Sequence, residues 1–185
     1  LRFTPEEGVD LLSRDEAAYR KSMALFSAEF LYPQGDHLFN CGAGERGCVD
    51  AYGNYQMCMT LRHLDTVYDL SKGTLREGLT DFFPRVRQIR ATNPEYLKRC
   101  ARCFLKGLCE QCPAKSWSEY GTLDTPVEYH CQVAHAQARF LGLLGEDEYS
   151  WEISDWKTRI DKFVSETLSG SLNINSNYEI PSCKG

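Results

Sequence analysis

The chain has 185 residues, 42% apolar and 25% charged, with a net charge of -5, a balance that fits one globular domain or one domain with extensions. The acidic surplus supplies no cationic excess to displace counterions from a phosphate backbone, and no apolar run reaches membrane-spanning length, so neither a nucleic-acid partner nor a membrane is expected. Nine cysteines are the anomaly. Leu1-Arg2-Phe3-Thr4-Pro5-Glu6-Glu7 has neither the basic start nor the apolar centre of a secretion signal. A cytoplasmic setting with metal-binding thiols is therefore expected over a disulfide framework, and the odd count leaves at least one thiol unpaired. With no initiator Met, the opening residues read as the interior of a longer polypeptide.

Thr4-Pro5-Glu6-Glu7 is a helix start, with Thr4 as N-cap, Pro5 in the first turn and acids beside it. From there to residue 30, Val9, Leu12, Tyr19, Met23, Phe26 and Phe30 recur at helical spacing, and Ser13-Arg14-Asp15 offers a break. One or two amphipathic helices are expected, with the stripe facing a core. Pro33-Gln34-Gly35-Asp36 is a turn, and three glycines at positions 42, 44 and 47 lie between Cys41 and Cys48. Residues 49–58 read as a β-hairpin around Gly53-Asn54 with a cysteine at each outer end, returning Cys48 and Cys58 to the same side. Residues 62–69 are a linking loop or strand. Residues 74–83 suggest a short helix and Pro84 the start of another to about residue 90, whose Arg85, Arg87 and Arg90 are expected to form a solvated face.

Residues 100–112 read C-A-R-C-F-L-K-G-L-C-E-Q-C, four thiols in thirteen positions. A CxxC pair lets two sulfurs converge on one centre. The gap of five between the two pairs is short for a single four-thiol zinc site, whose CxxC knuckles stand about 15–20 residues apart, so these ligands are expected to be split between sites or shared with distant cysteines. A helix is expected from Val127 to about Leu144, bearing Cys131 near its start, and another amphipathic helix through Trp151, Ile153, Trp156, Ile160, Phe163 and Val164. Residues 169–185, with Cys183, read as a polar tail. His37 and His63 are isolated, and His130 and His135 are five apart and do not share a helical face. Ordinary surface or core roles are expected for all four, with a place near the Cys131 site as the alternative for His130 and His135.

In order, the cysteines spell Cys41-x11-Gly53-x4-Cys58, a gap, Cys100-x2-Cys103-x5-Cys109-x2-Cys112, a second gap, and Cys131. This resembles the SPASM domain, the C-terminal extension of radical SAM enzymes that modify peptides and proteins, over about residues 36–145. The last short spacing is one residue less than the family's, which puts weight on where the Cys112 sulfur points. The resemblance implies a small α+β domain with a β-hairpin and several helices, organised as residues 1–35 (a helical linker or the end of a preceding barrel domain), 36–145 (the iron-sulfur domain) and 146–185 (a C-terminal helix and tail). It implies two auxiliary 4Fe-4S clusters, one on Cys41, Cys48, Cys58 and Cys112 and one on Cys100, Cys103, Cys109 and Cys131, serving electron transfer and substrate positioning. Eight thiolates make two four-sulfur shells, leaving Cys183 outside.

The CxxxCxxC motif that would bind S-adenosylmethionine is missing from these residues. Radical chemistry is therefore expected only with a radical SAM barrel domain, in the same or a separate chain, and a peptide or protein substrate. Two other readings stand beside this one: a zinc-binding structural or protein-interaction module, since four thiolates suit zinc equally, and a degenerate partner protein that recognises a precursor peptide without clusters.

Overall fold

The computed structural model describes residues 2–109 and 111–169; the expected tail and Cys183 lie outside them. Its class is α+β, with helices around a small antiparallel sheet. Helix α1 (Pro5–Leu12) opens on the expected cap. The Thr4 hydroxyl accepts from the Glu7 N–H, and the Glu7 carboxylate accepts from the Thr4 N–H at 2.8 Å. The break at residues 13–15 is present: the Asp15 side chain accepts from the Ala18 N–H and starts α2 (Glu16–Phe30). Of the predicted stripe, Val9 is buried, and Tyr19, Met23 and Phe26 pack on the core, whereas Leu12 and Phe30 are exposed.

The hairpin joins β1 (Cys48–Val49) to β2 (Asn54–Gln56), and β3 (Val67–Asp69) extends it on the far edge of β2. Cys48 faces Gln56 in register, so Cys58 lies two positions beyond the paired segment. One Asp50 carboxylate ties the turn, accepting from the N–H groups of Tyr52 and Asn54 and from the side-chain amides of Asn54 and Gln56.

Four helical stretches differ from the sequence reading. Pro84 does not begin a separate helix reaching residue 90. It sits in the first turn of α4 (Phe83–Val86), continuous with α3 (Leu75–Glu77) through a wide helical turn, Gly78–Phe82. Beyond Val86 the chain leaves the helix so that Arg90 bridges His37 as extended backbone. A helix not anticipated, α6 (Pro113–Tyr120), begins directly after Cys112 with Pro113 in its first turn. The helix expected to reach residue 144 is α7 (Glu128–Leu141), stopped by Gly142 at φ +80°, a left-handed conformation that glycine adopts without a Cβ penalty. The last described helix, α8 (Trp156–Ser169), starts after Trp151 and Ile153, which still pack against the core.

Two apolar clusters result. One joins Ala24 and Leu31 from the α2 region, Phe104 and Leu105, Ala138 and Leu141 of α7, and Ile160 and Phe163 of α8. The other lies under the sheet and α4, with Leu38, Phe39, Tyr55, Met57, Phe83 and Tyr96. Helix α1 packs on α7 and α2 on α8, so all three stretches assigned from sequence contribute to the packing. The cysteine run is the seam between the clusters: Cys100 and Cys112 pack on the second, while Cys103 with Phe104 and Leu105 belongs to the first. Completely burying a side chain such as Phe104 contributes about 1.5–3 kcal/mol, which anchors the run between its thiols.

Candidate metal centre

Cys100, Cys103, Cys109 and Cys131 line one cavity, with a volume of about 20 Å³. Each is placed by a different local device. Cys100 closes the wide helical turn Tyr96–Cys100, begun where the Asn93 side chain accepts from the Glu95 N–H. The Cys103 N–H turns back to the Cys100 carbonyl at 3.4 Å. Cys109 ends α5 (Lys106–Cys109), and Cys131 lies in the first turn of α7, its N–H donating to the Val127 carbonyl. Helix α5 approaches the end of α2 closely: a Cβ at Gly107 would stand 2.6 Å from the Phe30 carbonyl oxygen, so only glycine fits.

Burial pushes the Cys100 thiol up to about 12 and Cys103 to about 11, and it also raises Cys109 and Cys131. For Cys100 and Cys109 the neighbouring sulfurs add to the effect, because each thiolate makes the next one costlier. Thiols in such a place ionise when a cation compensates them. Two cationic side chains line the cavity, Arg99 and Lys106, and no carboxylate does so among the described residues. The Arg99 guanidinium donates to the Cys131 sulfur at 3.4 Å and to the Glu128 carboxylate at 3.0 Å, and lies over the Trp151 ring. Its buried Nε has no acceptor.

His135, expected to have a packing role, is drawn into the site. It stands one helical turn after Cys131, with Nδ1 2.8 Å from the Cys131 carbonyl oxygen, while Nε2 faces the Ser150 N–H at 3.3 Å. Nε2 is thus the acceptor and Nδ1 carries the proton; burial, which lowers the His135 pKa, favours this neutral form. The Ser150 hydroxyl lies 2.9 Å from the Cys103 sulfur and 3.2 Å from His135 Nε2. Since the Ser150 N–H already meets Nε2, the hydroxyl can donate to sulfur. Two thiols from distant segments are linked through one serine and one histidine.

The other set is gathered less completely. Cys41 and Cys112 share a groove of about 380 Å³ with Lys106, Gln111 and Leu38; Cys48 and Cys58 are not in its lining. Cys58 and Cys112 pack against the same apolar cluster. The Cys48 thiol donates to the Gln56 amide oxygen at 3.5 Å, and Cys58 lies 3.2 Å from the Thr60 hydroxyl. Cys41 is exposed. The loop between Cys41 and Cys48 is fixed by contacts that sequence reasoning did not anticipate. Arg87 donates to the Ala43 carbonyl at 2.6 Å, and the Gly44 N–H donates to the Met57 carbonyl. Arg90 pairs with Asp36 ahead of that loop. Arg87, half-buried, fastens this segment, while Arg85 and Arg90 stay on the solvated face, Arg85 bonding the Asp81 carbonyl and Arg90 pairing with Asp36 at the surface.

Among the described residues no three Cys, His, Asp or Glu side chains converge on one point as ligands of a single ion; four sulfurs instead surround a volume. The fit to a thiolate-ligated group is good at this set: four sulfur donors, two cations, one of them with an unpaired buried N–H, and a hydroxyl aimed at sulfur. Sequence reasoning missed Arg99, Lys106 and Ser150. Arg99 carried a signal, a cation directly before the Cys100 thiol; Lys106 and Ser150 carried none. Comparisons with protein-family models, with curated proteins and with solved structures return no match.

Proposed function

We propose that this chain is the auxiliary cluster-binding region of a radical SAM peptide or protein maturase. It binds two 4Fe-4S clusters in the cytoplasm and serves electron transfer and substrate positioning for a barrel domain in the same or another chain. Cys100, Cys103, Cys109 and Cys131 hold one, and Cys41, Cys48, Cys58 and Cys112 the other. The observation that carries this reading is the ring of four thiols around one cavity, drawn from segments 22 residues apart at the nearest, with two cations and no acid among the described lining residues. A cluster supplies one-electron transfer when bound. The chain's own residues hold the thiolates in place, offset their charge through Arg99 and exclude water with Val127 and Trp151. Eight cysteine ligands leave no open iron, which favours relay and support over direct chemistry on substrate.

Anaerobic purification and reconstitution should give a brown protein with iron and sulfide close to two clusters per chain. A colourless, zinc-loaded protein under those conditions would overturn the reading. Zinc on the Cys100 set is the second reading, since four thiolates suit zinc equally; it predicts stoichiometric zinc and no redox signal.

A further inference from the structure

Lys106 is an unusual residue for its position. Its side chain is 4% exposed at the start of α5, between the Cys103 and Cys109 positions. Its ammonium donates to the Tyr96 hydroxyl at 2.6 Å and the His37 carbonyl at 3.4 Å and stands over the Tyr96 ring. No carboxylate among the described residues pairs with it. An ammonium taken out of water costs several kcal/mol unless an anion compensates it, and two neutral oxygens do not supply that charge. The anionic candidates around it are sulfurs: Cys100, Cys103 and Cys109 line the cavity that it faces, and Cys41 and Cys112 line the groove. Lys106 lines both the four-thiol cavity and the groove of Cys41 and Cys112. Arg99 lines only the cavity and Lys115 only the groove, so of these three cations Lys106 alone faces both.

We propose that Lys106 is a counter-cation shared by the two thiol sites, held between them by Tyr96 and His37, so that one buried charge raises the reduction potential of both. This rests on the two-cluster reading above. The physical basis is elementary: reduction adds a negative charge to a thiolate-ligated centre, and a fixed cation in a medium of low dielectric favours the more negative state. Tyr96 has a matching role, since its hydroxyl accepts from the ammonium and so holds the charge in place without neutralising it. Lys106 is a positioning and tuning residue; it ligates nothing.

The test uses the full chain, reconstituted anaerobically as wild type, Lys106→Met and Lys106→Arg, with iron and sulfide analysis and a redox titration followed by electron paramagnetic resonance. The expected result is that K106M takes up iron at both sites and that both signals move to lower potential, while K106R returns them toward wild type. Unchanged potentials in K106M overturn the proposal, as does a shift confined to one signal, which would make Lys106 the partner of one site alone. Circular dichroism of the iron-free variants separates folding from tuning. Should K106M not accumulate, Lys106→Gln, which keeps a donor for Tyr96 without the charge, makes the same comparison. A wild-type protein that takes up no cluster removes the functional reading itself, an outcome distinct from clusters present but insensitive to the charge.

Discussion

The two thiol sets are built on different kinds of support. Cys100, Cys103, Cys109 and Cys131 are carried by helical turns packed into apolar clusters, and they ring a cavity with cations already in its wall. Cys41, Cys48, Cys58 and Cys112 sit on a loop, two ends of a hairpin and the cap of α6, where only Cys41 and Cys112 share a groove. Core packing preorganises side chains before anything binds, whereas a loop fixed by a few hydrogen bonds such as Arg87 to Ala43 is the less stable support. On the proposed two-cluster reading, the difference predicts an order of loading, with the helical set filled at low iron and the loop set later.

The largest effect that can break this comparison comes from removing the packing under the helical set. Phe104 is completely buried and stacks on Trp156, so Phe104→Ala should cost about 3–5 kcal/mol in chemical denaturation of the iron-free chain. It should also cancel the loading preference, since the helical set would no longer be preorganised. A variant that loses this stability yet keeps the same loading order would show that packing is not what gathers these thiols. Gly107→Ala attacks the same support through backbone. Its methyl would meet the Phe30 carbonyl, and separating α5 from α2 should cost about 1–3 kcal/mol by the same measurement. Cysteine replacements sharpen the contrast directly. Without iron, Cys103→Ser puts a hydroxyl at a buried position and should cost about 1–3 kcal/mol, whereas Cys41→Ser at an exposed one should stay within about 0.5 kcal/mol. With iron, each variant should lose one cluster, read from metal content and the surviving resonance signal.

Legibility from sequence follows the same division. The Thr4 cap, the break at Asp15 and the hairpin between Cys48 and Cys58 are local chemistry, and each was readable within a few residues. The grouping of Cys100, Cys103, Cys109 and Cys131 came only from the family resemblance, not from the spacing itself; these four line one cavity. What was unreadable depends on contacts between distant segments. Arg87 looks like a solvent-facing charge until the loop between Cys41 and Cys48 folds against it. His135 looks misplaced relative to His130, because its partner is Cys131 four residues back and then Ser150. Lys106 looks like an ordinary surface lysine until Tyr96 and both thiol surfaces close over it. Helix α6 was missed because Pro113 after Cys112 reads equally as a turn or as a first-turn proline.

The smallest effect concerns acid, and it tests whether the helical side is also held from its outer edge. Arg159 of α8 donates two hydrogen bonds to the Glu148 carboxylate, which also accepts from the Gly145 N–H at 2.7 Å. These bonds, that of Arg159 first, hold the Glu148 pKa down at about 2 against an ordinary 4.5. A carboxyl whose folded pKa is depressed stabilises the fold in full above its unfolded value and loses that contribution as pH falls through its folded value. Between about pH 4.5 and pH 2 the wild type should therefore lose stability, and Glu148→Gln should flatten that limb while leaving the rest of the profile in place. The partly exposed geometry keeps the effect small and salt-sensitive. An acid limb of the iron-free chain that is identical in wild type and Glu148→Gln would mean that the α8 clasp does not hold the segment leading to Ser150.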